Sequence, residues 1–118
     1  MTIAQSKGQA AELDALNYLQ RQGLSLIDQN YRCRYGEIDL IMKDGQTLVF
    51  IEVRKRQSAK FGGAIASVAY TKQQKLILTA QHFLTTLKKM PVCRFDVIGY
   101  EGSALQPVWI KDAFQLAS

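Results

Sequence analysis

Residues 48–56 read LVFIEVRKR: four apolar residues, a glutamate, a valine and three cations. The apolar run reads as a core strand, so Glu52 occupies a place where the pattern asks for another apolar side chain. A carboxylate there is costly to desolvate unless something offsets it. A second acid, Asp39, lies in the apolar segment 37–42, and between the two segments stands Lys43-Asp44-Gly45-Gln46. Asp-Gly is the strongest short hairpin signal. A two-residue Asp44-Gly45 turn pairs Lys43 with Gln46, Asp39 with Phe50 and Glu37 with Glu52. Side chains alternate between faces, so Ile38, Leu40, Val49, Ile51 and Val53 form one apolar face. The other carries Glu37, Asp39, Ile41, Leu48, Phe50, Glu52 and Arg54. Asp39 and Glu52 then become diagonal neighbours, roughly 7–8 Å apart at Cα.

Two carboxylates converging beside an apolar patch repel each other, and a cation between them removes the conflict. Magnesium is the natural candidate, with manganese as the alternative. It is held by one or two carboxylates while water and substrate phosphate complete the shell. Arg54, two residues past Glu52 on the same face, can meet a phosphate oxygen through two hydrogen bonds. This is the constellation that phosphodiester hydrolysis requires: a metal that polarises phosphate and acidifies water, and a fixed cation for the developing charge. A purely structural account uses the same residues, with Asp39 and Glu52 paired to Arg54, Arg32 or Arg34.

The elements that must hold these groups follow from periodicity. Residues 7–22 read as an amphipathic helix stopped by Gly23, with Leu13, Leu16 and Leu19 on one face. Glu12 projects between Leu16 and Leu19, towards the core, where it can bind a metal or one of its waters. Asp14 points to solvent. Strands are expected at 24–31, 37–42 and 47–53, and residues 57–69 read as a loop. A helix follows over 70–87, with Leu76, Ile77, Ala80, Phe83, Leu84 and Leu87 on its apolar arc. Lys72, Lys75, Thr79, His82, Thr86 and Lys89 form a polar stripe beside it, and Pro91 closes it. A fourth strand spans 93–100, where Arg94 and Asp96 read as a structural pair, and a short last one spans 108–110. Helix, three strands, helix, strand implies one α/β domain over 1–118, a mixed sheet with helices packed on it.

Composition narrows the classes. Hydrophobic residues make up 47% and charged residues 21% of 118, as in a soluble globular domain. No apolar run approaches the roughly 18 residues of a membrane span, and no secretory signal opens the chain. Cys33 and Cys93 lack CxxC spacing and His82 is the single histidine, which argues against a disulfide framework or a zinc site. A cytoplasmic protein with reduced thiols is expected. The net charge of +5 is concentrated: residues 53–95 hold nine bases and no acid. Such a block favours a polyanion, nucleic acid first. Arg56, Lys60, Lys72 and Lys75 are the leading backbone contacts, and Arg32 and Arg34 either contact phosphate or balance the nearby acids. Tyr31, Tyr35, Phe61 and Tyr70 either stack on bases or pack at the core rim.

Five motifs then occur in order: GxxAExxAxxYL over 8–19, NYRCRYGEIDLI over 30–41, VFIEVRKR over 49–56, SVAYTKQQKL over 67–76 and CRFDVI over 93–98. With these the chain resembles the bacterial YraN family across nearly its whole length. That family in turn is similar to the PD-(D/E)XK superfamily, whose restriction-endonuclease-like fold is shared with archaeal Holliday junction resolvases. The resemblance implies a mixed β-sheet flanked by α-helices with a magnesium-dependent nuclease centre, acting on DNA rather than RNA and by analogy on branched DNA. It implies metal binding by Asp39 and Glu52, Glu12 as the helix-one glutamate of resolvase-like members, and basic support from Lys72 and Lys75. Resolvase-like relatives act as dimers, so a homodimer is open. Arg54 departs from the motif, which has lysine there. Arginine effectively cannot release its proton, so Arg54 would clamp charge and leave water activation to the metal. The alternative is a fold that kept its grip on nucleic acid without the chemistry. A small interaction protein that meets an acidic surface is a third reading.

Overall fold

The computed structural model describes residues 3–56, 68–101 and 107–115, with side chains for 10–55, 68–100 and 107–115. Helix α1 (Ile3–Arg21) leads into strands β1 (Ser25–Cys33), β2 (Gly36–Asp44) and β3 (Thr47–Arg56). Helix α2 (Tyr70–Leu84) precedes β4 (Cys93–Glu101) and β5 (Val108–Phe114). The five strands form one sheet in the order β1-β2-β3-β4-β5. β3 and β4 run parallel, joined through α2, and the other neighbours are antiparallel. This is the mixed α/β architecture expected of a restriction-endonuclease-like fold. Among the described residues no helix is long and apolar enough to cross a membrane.

Each helix covers one face. Ala15, Leu16 and Leu19 of α1 pack with Leu40, Met42, Val49, Ile51 and Ile98. Leu76, Ile77, Ala80, Phe83 and Leu84 of α2 pack with Ile41, Leu48, Phe50, Phe95 and Val97. Phe50 stacks on Phe95 and Phe95 on Phe114, at centroid separations of 5.3 and 4.9 Å, which ties β3, β4 and β5 together. Each fully buried aliphatic or aromatic side chain contributes roughly 1.5–3 kcal/mol.

The structure corrects several expectations. The β2–β3 turn is Gly45-Gln46, with Asp44 opposite Thr47 and Leu40 opposite Ile51. Gly45, at φ +62°, takes the first central position, which favours glycine in a two-residue hairpin loop. The register therefore slips by two residues from the expected Lys43–Gln46 pairing. An even slip keeps every side chain on its face, and it moves Asp39 from a place opposite Phe50 to one opposite Glu52. Ile38 does change sides. It joins the α2 cluster, although Leu40 and Met42 lie against α1. The break falls at Asp39, where the β2–β3 ladder ends, and opposite it Asn30 of β1 has φ +52°. Asparagine tolerates that left-handed conformation, and the paired kink turns Tyr31 and Ile38 towards α2. Leu13 does not share the buried face of α1: it is 56% exposed. Helix α2 ends at Leu84, so Leu87 lies beyond it and is part exposed, while Thr79 of the expected polar stripe is fully buried and donates to the Lys75 carbonyl.

Asp96 on β4 is fully buried and accepts from Arg94 Nε at 3.0 Å, Trp109 Nε1 at 2.9 Å and the Asp112 amide at 2.9 Å. Arg94 also reaches Asp44 at 3.0 Å. The pair is structural, as expected from the strand pattern: it fastens the last strand and the β2 end to β4.

Candidate active site

The kink at Asp39 creates the site. Where β2 leaves the ladder, the Val53 amide loses its strand partner, and the Asp39 carboxylate accepts it at 2.8 Å. Asp39 is thereby held beside Glu52, close enough for each carboxyl group to feel the other. Burial first, and then the neighbouring Glu52, push Asp39 up to about 8, against the opposing pull of the Val53 amide.

Glu52 is only 4% exposed and carries two cations at the same oxygen. Arg54 Nη1 and Lys72 Nζ each stand 3.5 Å from its Oε2. Arg54 arrives from two residues along β3. Lys72 arrives from the first turn of α2, placed there because Leu76 and Ile77 dock the helix on Phe50 and Ile41. On the other side Glu12 comes from α1, half-buried, and is raised to about 7. Burial contributes most, then the charges of Asp39 and Glu37, while a hydrogen bond to Asn30 and the charge of Arg32 pull it back down. Arg32 is ion-paired with Glu37.

Four acids from α1, β2 and β3 therefore lie within reach of one another's field. Among the described residues no three histidine, cysteine, aspartate or glutamate side chains are gathered as a metal cage. Asp39 and Glu52 are the pair whose chemistry fits a divalent ion, because an ion between them would offset the repulsion of two neighbouring carboxylates. Water and phosphate oxygens would supply the remaining ligands, as magnesium prefers.

Of the residues singled out from sequence, Glu12, Asp39, Glu52 and Arg54 converge, and Lys72 joins them. Lys75 is exposed on α2, one turn from Lys72. Arg34 is turned away from the acids: its guanidinium donates to the Tyr35 hydroxyl at 2.7 Å and lies 4.8 Å from that ring's centre. Tyr31 packs edge-on against Phe83 and hydrogen-bonds His82, so it is a rim residue. Tyr70 is 73% exposed. Lys60, Phe61 and the side chain of Arg56 lie outside the described residues. Asn30 and Glu37 were not picked out as site residues; the asparagine that opens the second motif was the available signal.

The comparison with known proteins agrees with this geometry in extent. The model of the uncharacterised protein family UPF0102 matches residues 11–100, from within α1 to β4. The chain belongs to the UPF0102 family. It is the family that the five motifs resemble under the name YraN. A UPF0102 protein of Psychromonas ingrahamii is 57% identical over 115 residues, covering 98% of this chain and 94% of the relative. UPF0102 proteins of Herminiimonas arsenicoxydans and Legionella pneumophila are 52% and 50% identical, covering 97% and 95% of this chain and 90% and 97% of the relatives. The UPF0102 match spans every residue of the site, from Glu12 to Lys72.

Proposed function

We propose that the chain is a magnesium-dependent nuclease that hydrolyses phosphodiester bonds in DNA, with manganese as the alternative ion. The observation that carries this reading is the closeness of Asp39 to the buried Glu52, with two cations, Arg54 and Lys72, each 3.5 Å from one Glu52 oxygen. Asp39 and Glu52 would hold the metal, which polarises a phosphate oxygen and lowers the pKa of bound water. Arg54 binds phosphate and stabilises negative charge without exchanging a proton. Lys72 brings an amine to the same oxygen of Glu52, and an amine can take or give a proton where a guanidinium cannot. Lysine is missing from the strand motif, and α2, packed on the same face of the sheet, supplies one. Glu12, poised near neutrality, orients water beside the carboxylate pair. Lys75, Arg32 and Arg34 extend the cationic surface along α2 and the β1–β2 hairpin, and each phosphate they contact makes binding salt-sensitive.

The second reading, a nucleic-acid-binding module without catalysis, is favoured by one observation. Glu52 is already neutralised by Arg54 and Lys72, so its charge is balanced with no metal. One experiment separates the two. Branched and linear DNA are incubated with the chain in magnesium, manganese or chelator, beside Glu52→Ala. Nicking that needs metal and disappears in the variant supports the nuclease. Salt-sensitive binding with no cleavage in any metal sinks it and leaves the module.

A further inference from the structure

A groove of about 480 Å³ lies at the far end of α2 from the carboxylates, lined by Ile27, Leu48, Phe83, Leu87 and Pro91. Its other lining residues are Lys43, Lys88 and Lys89, all exposed. We propose that it docks an acidic peptide whose apolar side chains fill the floor while its carboxylates meet the three lysines. The proposal stands apart from the nuclease reading. Phe83 lies eleven residues after Lys72, about 16 Å along the helix, so the groove can be filled with the site open.

Three observations favour this occupant. First, aliphatic surface is left in water: Ile27 is 47% exposed and Leu87 39%. Ile27 stands in the bulge between Leu26 and Asp28 of the edge strand β1, with no residue opposite it in β2. The bulge spoils continued strand pairing at that edge and turns Ile27 to the groove. Second, the rim is cationic and the floor is not, which matches alternating acidic and apolar side chains. Asp28, beside Ile27, has its carboxylate engaged by the Gln29 amide. Third, the competing occupants fit worse. A second copy related by a two-fold axis would bring Lys43, Lys88 and Lys89 against their own counterparts. Nucleic acid would satisfy the lysines but leave the floor wet. Phe83 offers no open ring for stacking, since it is only 8% exposed.

The test uses the full chain and a fluorescent ten-residue peptide alternating aspartate or glutamate with leucine and phenylalanine. Its partners are the same peptide with serine at the apolar positions and an oligonucleotide of equal charge. The amphipathic peptide should bind at least about tenfold more tightly than the serine version. Leu87→Glu and the pair Lys88→Glu, Lys89→Glu should each weaken it by about tenfold or more. Leu87 lies beyond the helix on the surface, so its substitution leaves the fold standing, and a circular-dichroism melt verifies that. In the unmodified chain, amide shifts on peptide addition should centre on residues 27, 43 and 87–89. Equal binding of the serine peptide, competition by the oligonucleotide, or shifts centred on 52–54 and 72 would overturn the proposal. So would a concentration-dependent dimer abolished by Leu87→Glu.

Discussion

Asp39→Asn should make the protein more stable while removing one of the two proposed metal ligands, and the gain should depend on pH. The folded Asp39 titrates near 8 against an ordinary 3.8, a rise of about 4 units. A carboxyl group that holds its proton more tightly when folded stabilises the fold most below about pH 4. That contribution drains away as pH climbs to about 8. Between those limits the folded chain carries one proton that the unfolded chain lacks, so stability falls by about 1.4 kcal/mol per pH unit. The full span is worth at most about 6 kcal/mol. Asp39 keeps some solvent contact, so about half, roughly 3 kcal/mol, is the expected cost at pH 8. Asparagine preserves the shape: its carbonyl can accept the Val53 amide and its amide can donate to Glu52. Urea unfolding in chelator at pH 5, 6, 7 and 8 should therefore show the variant pulling ahead of the wild type as pH rises. Magnesium at a hundred times its dissociation constant should restore about 2.7 kcal/mol to the wild type and nothing to the variant. A difference that is flat with pH, or a variant less stable at every pH, would mean that Asp39 is an ordinary structural acid.

Lys72→Ala should slow metal-dependent nicking by about 10²–10³-fold while weakening DNA binding by less than about tenfold, and Lys72→Arg should rescue binding but not rate. Recovery of the rate by arginine would reduce Lys72 to a fixed charge. Arg94→Ala strips the buried Asp96 of its cation and should cost about 3–5 kcal/mol in urea unfolding, with nicking per folded molecule unchanged. Gly36→Ala should cost about 1–3 kcal/mol by thermal melt, because Gly36 has φ +152° and a Cβ there would lie 3.3 Å from Thr79 Oγ1.

Much of this arrangement was legible in the chain because strand parity survives errors of two. Asp-Gly marks a turn, yet it does not say whether glycine stands first or second in it, and the pairing of Asp44 with Thr47 puts it first. Either choice leaves Asp39 and Glu52 on one side. Ile38 was misplaced because the kink at Asn30 and Asp39 is a paired event on two strands, and alternation describes each strand alone. On α1 the buried residues are 15, 16 and 19 with Glu12 between them, an arc whose centre, at about 100° per residue, falls close to Glu12 itself. Ala15 lets the helix approach on that side and rotates Leu13 outwards. Reading the leucines alone shifted the face, though it aimed Glu12 inwards correctly.

The contact that no spacing could announce is the one between Lys72 and Glu52. It joins residues twenty apart in sequence across a stretch outside the described residues, and it exists only because α2 docks on the sheet. Its neighbours in that docking are Leu76, Ile77, the buried Thr79 and the close approach of Gly36. The electrostatics of the site are therefore tied to the packing of a helix whose apolar residues fill the core beside it. Loosening α2 by a cavity at Ile77 should withdraw an ammonium from Glu52 and leave only the guanidinium of Arg54. Arg54 can hold charge but cannot exchange a proton, so the loss should fall on rate before it falls on binding. On the nuclease reading, a strand motif that carries arginine in place of lysine would thus make the helix, and not the strand alone, the element on which catalysis depends.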